Sequence, residues 1–134
     1  MILVDSNVAM DALNPQATHH EWSTLRLLDI RGEDPFINHV VVAELSVRAT
    51  SFEQLEMMLS ALDLPIHPLD DSIAWRAGQA FADWIDNGGR RGALLPDFLI
   101  GAHASVTGAR VLTRDPRRFR SYFPELDLIL PEPS

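Results

Sequence analysis

Ile2-Leu3-Val4-Asp5-Ser6-Asn7 joins three apolar residues of strand character to an acid and then to two residues that favour a helix start. The same grammar returns near the other end of the 134-residue chain, where Val111-Leu112-Thr113 runs into Arg114-Asp115. Between these two stretches the apolar pattern is mostly helical. A brief helix follows Asn7 and stops at Asn14-Pro15, and a second, over about residues 20–30, sets Trp22, Leu25 and Leu28 three apart before Gly32. Phe36-Ile37 reads as a strand. Asn38 then caps a helical segment, residues 40–49, with Val41, Leu45 and Arg48 along one side. Ser51 and Gln54 form a capping box for a helix through Leu55, Met58, Leu59 and Leu62, and Leu64-Pro65-Ile66 reads as another short strand.

Asp70-Asp71 open the longest helix, whose stripe of Ile73, Ala77, Ala80, Phe81 and Trp84 ends at Gly88-Gly89, before the basic loop Arg90-Arg91-Gly92. Pro96-Asp97 begin a helix reaching about Thr107, with Gly101, Ala102 and Ala104 small enough for close approach to its neighbours and Gly108 as its stop. Leu128-Ile129-Leu130 supplies a last strand ahead of a Pro-rich tail. Strands alternating with helices of these lengths predict an α/β layer fold with a mainly parallel sheet, because parallel neighbours must be joined by crossovers. A hydrophobic content of 46% over 134 residues suits one compact core, and residues 1–134 are expected to form one domain.

Composition removes several function classes. The chain has no cysteine, so thiol nucleophiles, disulfides and thiolate-held metals are excluded. All 11 basic residues are arginine, which excludes a P-loop lysine, a Schiff-base lysine and the lysine a receiver-type phosphoacceptor domain needs. With no long apolar run and no basic leader, a cytoplasmic protein without a membrane span is expected. The net charge of −8 opposes general attraction to nucleic acid, but it is unevenly spread. Residues 1–89 hold four arginines against 14 acids, whereas residues 90–134 hold seven arginines against five acids.

Ligands of open α/β sheets bind beyond the carboxyl ends of the strands. Asp5 and Asp115 each follow an apolar strand, Asp97 stands at a helix start, and Glu44 lies among Val40, Val41, Val42 and Leu45, where an uncompensated charge is costly. These four acids are the candidate catalytic and metal-holding set. Plain structural roles compete with that assignment: Asp97 as an N-cap and Asp115, before Pro116, as a turn former. Hard oxygen donors without thiolate suit Mg²⁺ or Mn²⁺.

Taken together, Val4-Asp5-Ser6-Asn7-Val8, Val42-Ala43-Glu44-Leu45, Leu95-Pro96-Asp97-Phe98-Leu99-Ile100-Gly101-Ala102-His103-Ala104 and Val111-Leu112-Thr113-Arg114-Asp115 resemble the four motifs of PIN-domain proteins, most closely those of VapC-type toxins. The resemblance runs from Met1 to about Phe123. It implies a PIN-like three-layer fold, a Mg²⁺ or Mn²⁺ site, cleavage of RNA phosphodiester bonds and inhibition by a cognate VapB-type antitoxin. By the same resemblance Asp5 and Asp97 would be the principal metal ligands, Glu44 and Asp115 would complete the acidic cluster directly or through water, and Asn7 and Thr113 would be polar supports. A homodimer is also implied.

Arg114, Arg117 and Arg118 are the candidate RNA contacts, able to hold phosphates beside the scissile bond, with solvated loop charge as the competing reading. Arg90-Arg91 are better suited to an acidic partner. Trp22, Trp75, Trp84, Phe81 and the Leu-Met stripe read as core or protein interface rather than as base-stacking platforms. His103, six residues beyond Asp97, does not share its helix face and reads as a packed residue. A non-catalytic PIN-like module that binds RNA or protein is the alternative to the enzyme, since it would need the same fold.

Overall fold

The computed structural model of the protein describes residues 1–89 and 95–131, so Arg90-Arg91 and the end of the Pro-rich tail lie outside the described residues. The strands are β1 (Ile2–Val4), β2 (Pro35–Asn38), β3 (Ile66–His67), β4 (Arg110–Leu112) and β5 (Leu128–Ile129). The helices are α1 (Ser6–Leu13), α2 (His20–Asp29), α3 (His39–Ser46), α4 (Phe52–Leu62), α5 (Asp71–Asp86), α6 (Pro96–Thr107) and α7 (Arg117–Tyr122). Among the described residues the five strands form one sheet in the order β3-β2-β1-β4-β5, with every pair parallel. The fold is therefore the α/β arrangement the alternation of patterns predicts, a parallel sheet flanked by helices. Among the described residues, no helix is long and apolar enough to cross a membrane.

The strand order decides where a site can form. The chain steps outward from β1 to β2 and β3, then returns to the other side of β1 for β4 and β5, so the winding reverses between β1 and β4. At such a switch point the flanking connections diverge and leave a crevice at the carboxyl ends of the strands. Registers Leu3↔Val111 and Val4↔Leu112 bring Asp5 and Thr113 out of the sheet side by side at this crevice. Ile2, Leu3, Val4, Val111 and Leu112 are all buried, as strands covered on both faces require.

Helix ends follow the local chemistry. Asn38 Oδ1 accepts from Val41 N at 3.1 Å to cap α3, and Ser51 Oγ accepts from Gln54 N at 3.0 Å to cap α4. Gln54 completes the box one residue earlier than the usual pattern, bonding Thr50 rather than Ser51. The cap of α1 also falls one residue earlier than expected, since extended Asp5, not Ser6 or Asn7, accepts from Ser6 N at 2.8 Å. On α6 the small residues serve close packing: a Cβ at Gly101 would stand 2.5 Å from the Phe123 ring. Gly108 ends this helix in the left-handed region at φ 70°.

Two expectations need correction and a third is narrowed. Leu25 and Leu28 are about half exposed and the buried residue of α2 is Ser23, so of the stripe of Trp22, Leu25 and Leu28 only Trp22 packs against the core. Of the two readings of the aromatics, core or protein interface, the core is excluded for Trp75, which is 70% exposed, unlike Phe81 and Trp84, which pack on Phe98. The segment holding Arg117, Arg118 and Arg120 is a helix rather than a loop, because Phe119 and Phe123, four residues apart, are both buried and draw it onto the body of the protein.

Candidate active site

Asp5 is fixed from several directions at the end of β1. Its backbone N–H donates to Leu112 O at 2.9 Å, continuing the β1–β4 ladder by one residue. Its Oδ1 accepts from Ser6 N, while Oδ2 accepts from Thr113 Oγ1 at 2.7 Å and Asn7 Nδ2 at 3.3 Å. Thr113 Oγ1 in turn accepts from Asn7 Nδ2 and from Asp115 N, and Asn7 Oδ1 accepts from Arg114 N. Asp5 is only 4% exposed, and every donor on its carboxylate is neutral.

That arrangement has an electrostatic consequence. Burial pushes the Asp5 carboxyl up to about 6; the Thr113 and Ser6 hydrogen bonds oppose the rise, and the negative charges of Asp97 and Glu44 add to it. Glu44, half-buried on α3, is also raised, first by burial and then by Asp97, with Ser6 Oγ donating to its Oε1 at 2.9 Å. Asp5, Glu44 and Asp97 thus stand close enough to repel one another.

Asp97 is the second residue of α6, with Pro96 first and Leu95 at the cap position, so it is not an N-cap. It lies in the first turn, where the helix dipole favours a carboxylate. Its Oδ2 accepts from Arg118 Nη1 at 3.0 Å, and the Arg118 guanidinium lies 6.0 Å from the centre of the Trp84 ring. Asp115 faces differently from the other three acids. Arg117 grips both of its oxygens at 3.1 and 3.2 Å, and this hydrogen bonding holds its carboxyl below the usual range.

The three candidate RNA contacts are all engaged with acids. Arg118 holds Asp97, Arg117 holds Asp115, and Arg114 pairs with the nearly buried Asp11 of α1. Among the described residues, no three His, Asp or Glu side chains form a group able to hold a metal ion. Each acid of the candidate set is turned onto its own donor, and a shared four-carboxylate nest is not formed. A less demanding site remains compatible with these positions, since Mg²⁺ commonly takes one or two protein carboxylates and completes its shell with water and phosphate oxygens.

Sequence reasoning missed Ser6 as the donor to Glu44 and Asp11 as the partner of Arg114. A signal for Asp11 existed, a lone acid within the apolar helix Val8-Ala9-Met10-Asp11-Ala12-Leu13, which demands a compensating group. His103 is buried, as a packed residue should be. Asn38 Oδ1 serves Val41 N–H, so Asn38 Nδ2 donates to His103 Nδ1 at 3.0 Å, and burial lowers the His103 pKa and keeps the ring neutral.

Acids gathered at the switch point of a 3-2-1-4-5 parallel sheet fit the class, and the chain belongs to the PIN domain family, which it matches over residues 2–123. Its fold is similar to that of FitAcB from Neisseria gonorrhoeae, at 24% identity and TM-score 0.72 over 96% of each chain. It is similar at the same TM-score to VapBC2 from Rickettsia felis bound to a DNA fragment from their promoter, at 23% identity over 98% of this chain and 100% of that one. DNA-bound VapBC from Salmonella typhimurium is a third such structure, at 20% identity, TM-score 0.72 and 96% of each chain. No curated protein matches the chain in sequence.

Proposed function

We propose that this protein is a Mg²⁺- or Mn²⁺-dependent endoribonuclease and the toxin of a VapBC-type toxin–antitoxin pair, acting in the cytoplasm. The observation that carries this reading is Asp5, a buried carboxylate raised to about 6, held only by neutral donors and repelled by Asp97 and Glu44. A site with uncompensated negative charge and oxygen-only donors favours a hard divalent cation. Membership of the PIN domain family supports nuclease chemistry, and the VapBC structures with the same fold support the toxin–antitoxin setting.

Asp5 and Asp97 would hold the ion, with Glu44 and Asp115 joining directly or through water. Bound there, a divalent ion supplies Lewis-acid activation of water and neutralises charge gathering on the phosphate during hydrolysis. The protein's own groups do the positioning. Thr113, Asn7 and Ser6 N–H aim the Asp5 carboxylate, and Ser6 Oγ aims Glu44. Arg114, Arg117 and Arg118 rim the crevice and are suited to phosphates that flank the scissile bond, each exchanging its carboxylate for a phosphate oxygen.

A cognate antitoxin and a second copy of the chain are the partners of this reading. A largely apolar groove of about 630 Å³ between α1, α2 and α4, lined by Leu13, Leu27, Leu28, Leu62 and Leu64, suits an amphipathic segment of the antitoxin. The exposed Trp75 is the kind of anchor a homodimer interface uses, and size-exclusion chromatography with light scattering checks that state.

The ion pairs on Asp97 and Asp115 favour a second reading, a non-catalytic module that binds RNA or protein, because they occupy two of the four acids. One assay separates the two. Purified protein with single-stranded RNA should cleave in Mg²⁺ or Mn²⁺ and stop on chelation, and binding without cleavage in either metal would leave the module. Sequencing RNA ends after induced expression then identifies the target.

A further inference from the structure

Beside the acidic centre a second cleft, of about 630 Å³, opens between α1, α3 and α4. Its size falls within the roughly 300–1,000 Å³ of small-molecule sites. Ser6, Asn7 and Glu44 form its inner wall, so a group seated there abuts the residues that bear on Asp5.

The hydrogen-bonding state of the walls shows what chemistry the cleft would accept. Its two carboxylates differ: Arg114 neutralises Asp11, whereas Ser6 Oγ orients Glu44 without neutralising it. Three exposed side chains on its outer wall, Arg48, Gln54 and Asn14, present donors that water satisfies and a ligand can take over. Arg48 is exposed and has no carboxylate partner among the described residues. Gln54 accepts from Thr50 N–H through Oε1, which fixes the amide orientation and leaves Nε2 without a protein acceptor among the described residues. Asn14 accepts from Gln16 N–H through Oδ1 and is left in the same condition at Nδ2. The remaining wall includes the thioethers of Met10 and Met58, polarisable groups that pack well against an aromatic ring. Donors on the outer wall suit a ligand with acceptors there, the unneutralised Glu44 suits one that arrives with a divalent cation, and the methionines suit one with a flat face.

The geometry points to a nucleotide seat: this cleft takes one ribonucleotide of the strand adjoining the scissile phosphodiester, with its base against Met10 and Met58, base-edge acceptors at Gln54 and Asn14, and phosphate at Arg48. The assignment rests on the ribonuclease reading of the Asp5 centre and adds a subsite to it. Arg48 and Met58 become specificity-determining residues outside the acidic set.

The test uses full-length protein in Mg²⁺, titrated with each of the four 5′-ribonucleoside monophosphates while the side-chain amide resonances of Asn14 and Gln54 are followed by NMR. At least one monophosphate should shift both resonances saturably. Arg48→Ala should weaken that binding about five- to tenfold, the loss of one charge-assisted hydrogen bond at a solvated edge. Met58→Trp, which fills the cleft, should abolish it while circular dichroism and magnesium uptake stay unchanged. Absence of any shift with all four monophosphates overturns the proposal, as does wild-type affinity in Arg48→Ala. The readout needs no turnover. Nucleotide binding without RNA cleavage would remove the nuclease reading and keep the seat, whereas cleavage without nucleotide binding would remove the seat and keep the nuclease.

Discussion

The two sides of the acidic crevice handle negative charge in opposite ways. On the β1 side, Asp5 and Glu44 are buried or half-buried and receive hydrogen bonds only from neutral groups, and both are raised above the ordinary carboxylate range. On the α7 side, Asp97 and Asp115 are more exposed and each is matched by an arginine of α7, Arg118 and Arg117 respectively. One side stores unbalanced charge and the other has balanced it with resident cations. Hydrogen bonds from hydroxyl and amide orient a carboxylate without neutralising it, so the first side retains its attraction for a metal. Ion pairs at a solvated rim are weak, on the order of 1 kcal/mol or less, and can be exchanged for phosphate.

Removing the charge of the first side is the most damaging change. Asp5→Asn keeps the shape and most of the hydrogen-bonding geometry, and it should lower metal-dependent RNA cleavage by more than about 10²-fold, beyond the 10–100-fold typical of losing an outer-shell partner. Circular dichroism should show the fold intact. Cleavage by folded Asp5→Asn at the wild-type rate would show that the two sides are equivalent and that neither centres on Asp5.

The next largest effect is on stability and has a definite sign. Asp5 titrates at 3.8 unfolded and about 6 folded, so between those values the native state binds the extra proton. Its contribution to stability is therefore present below about pH 4 and is lost as pH rises through 6, by roughly 3 kcal/mol in all. Asp115, held low by Arg117, has the opposite slope and loses stability toward acid. Urea unfolding of chelator-treated wild type and Asp5→Asn between pH 4 and 7.5 isolates the first contribution: relative to the variant, wild type should lose stability as pH rises. Mg²⁺ should restore part of that loss at pH 7.5, and parallel curves for the two proteins would contradict the raised Asp5.

How far the sequence foretold this asymmetry depends on the range of the interactions involved. The parallel sheet was legible because each strand is a short apolar run and each crossover has its own cap, as Asn38 and Ser51 illustrate. Asp5, Glu44 and Asp97 could be selected because they interrupt apolar segments, and a charge in such a place needs a reason. The pairing of Asp97 with Arg118 and Asp115 with Arg117 could not be read, since it depends on α7 being a helix. That in turn depends on Phe119 and Phe123 finding a site beside Gly101, a tertiary event with little local signal. For the same reason Leu25 and Leu28 misled: three-residue spacing marks a face of α2 but does not say which side the core lies on.

Thr113→Val sharpens the comparison from within the neutral side. The substitution removes the hydroxyl that donates to Asp5 Oδ2 and leaves the size of the side chain nearly unchanged. Because that bond opposes the effect of burial, its loss should move the acid limb of the pH–activity profile upward and weaken magnesium affinity, measured by calorimetry, about tenfold. An unmoved limb would mean that Thr113 supports the strand end and does not tune the acid.

The smallest effect is expected where the arginines stand, and its direction is the informative part. Arg118→Gln removes a cation 3.0 Å from Asp97 and leaves a shorter, neutral polar side chain in its place. If the α7 side is balanced by resident charge, the metal and Arg118 compete for Asp97, and the variant should bind Mn²⁺ about two- to threefold more tightly in calorimetry, as suits an exposed pair worth less than 1 kcal/mol. The same variant should bind RNA two- to threefold more weakly, because the arginine freed from Asp97 by the metal is then missing from the phosphate. Opposite shifts in the two affinities are what an exchangeable ion pair requires. Parallel losses of both would instead make Arg118 a structural pin between α6 and α7, and the charge on that side of the crevice would be fixed rather than on loan.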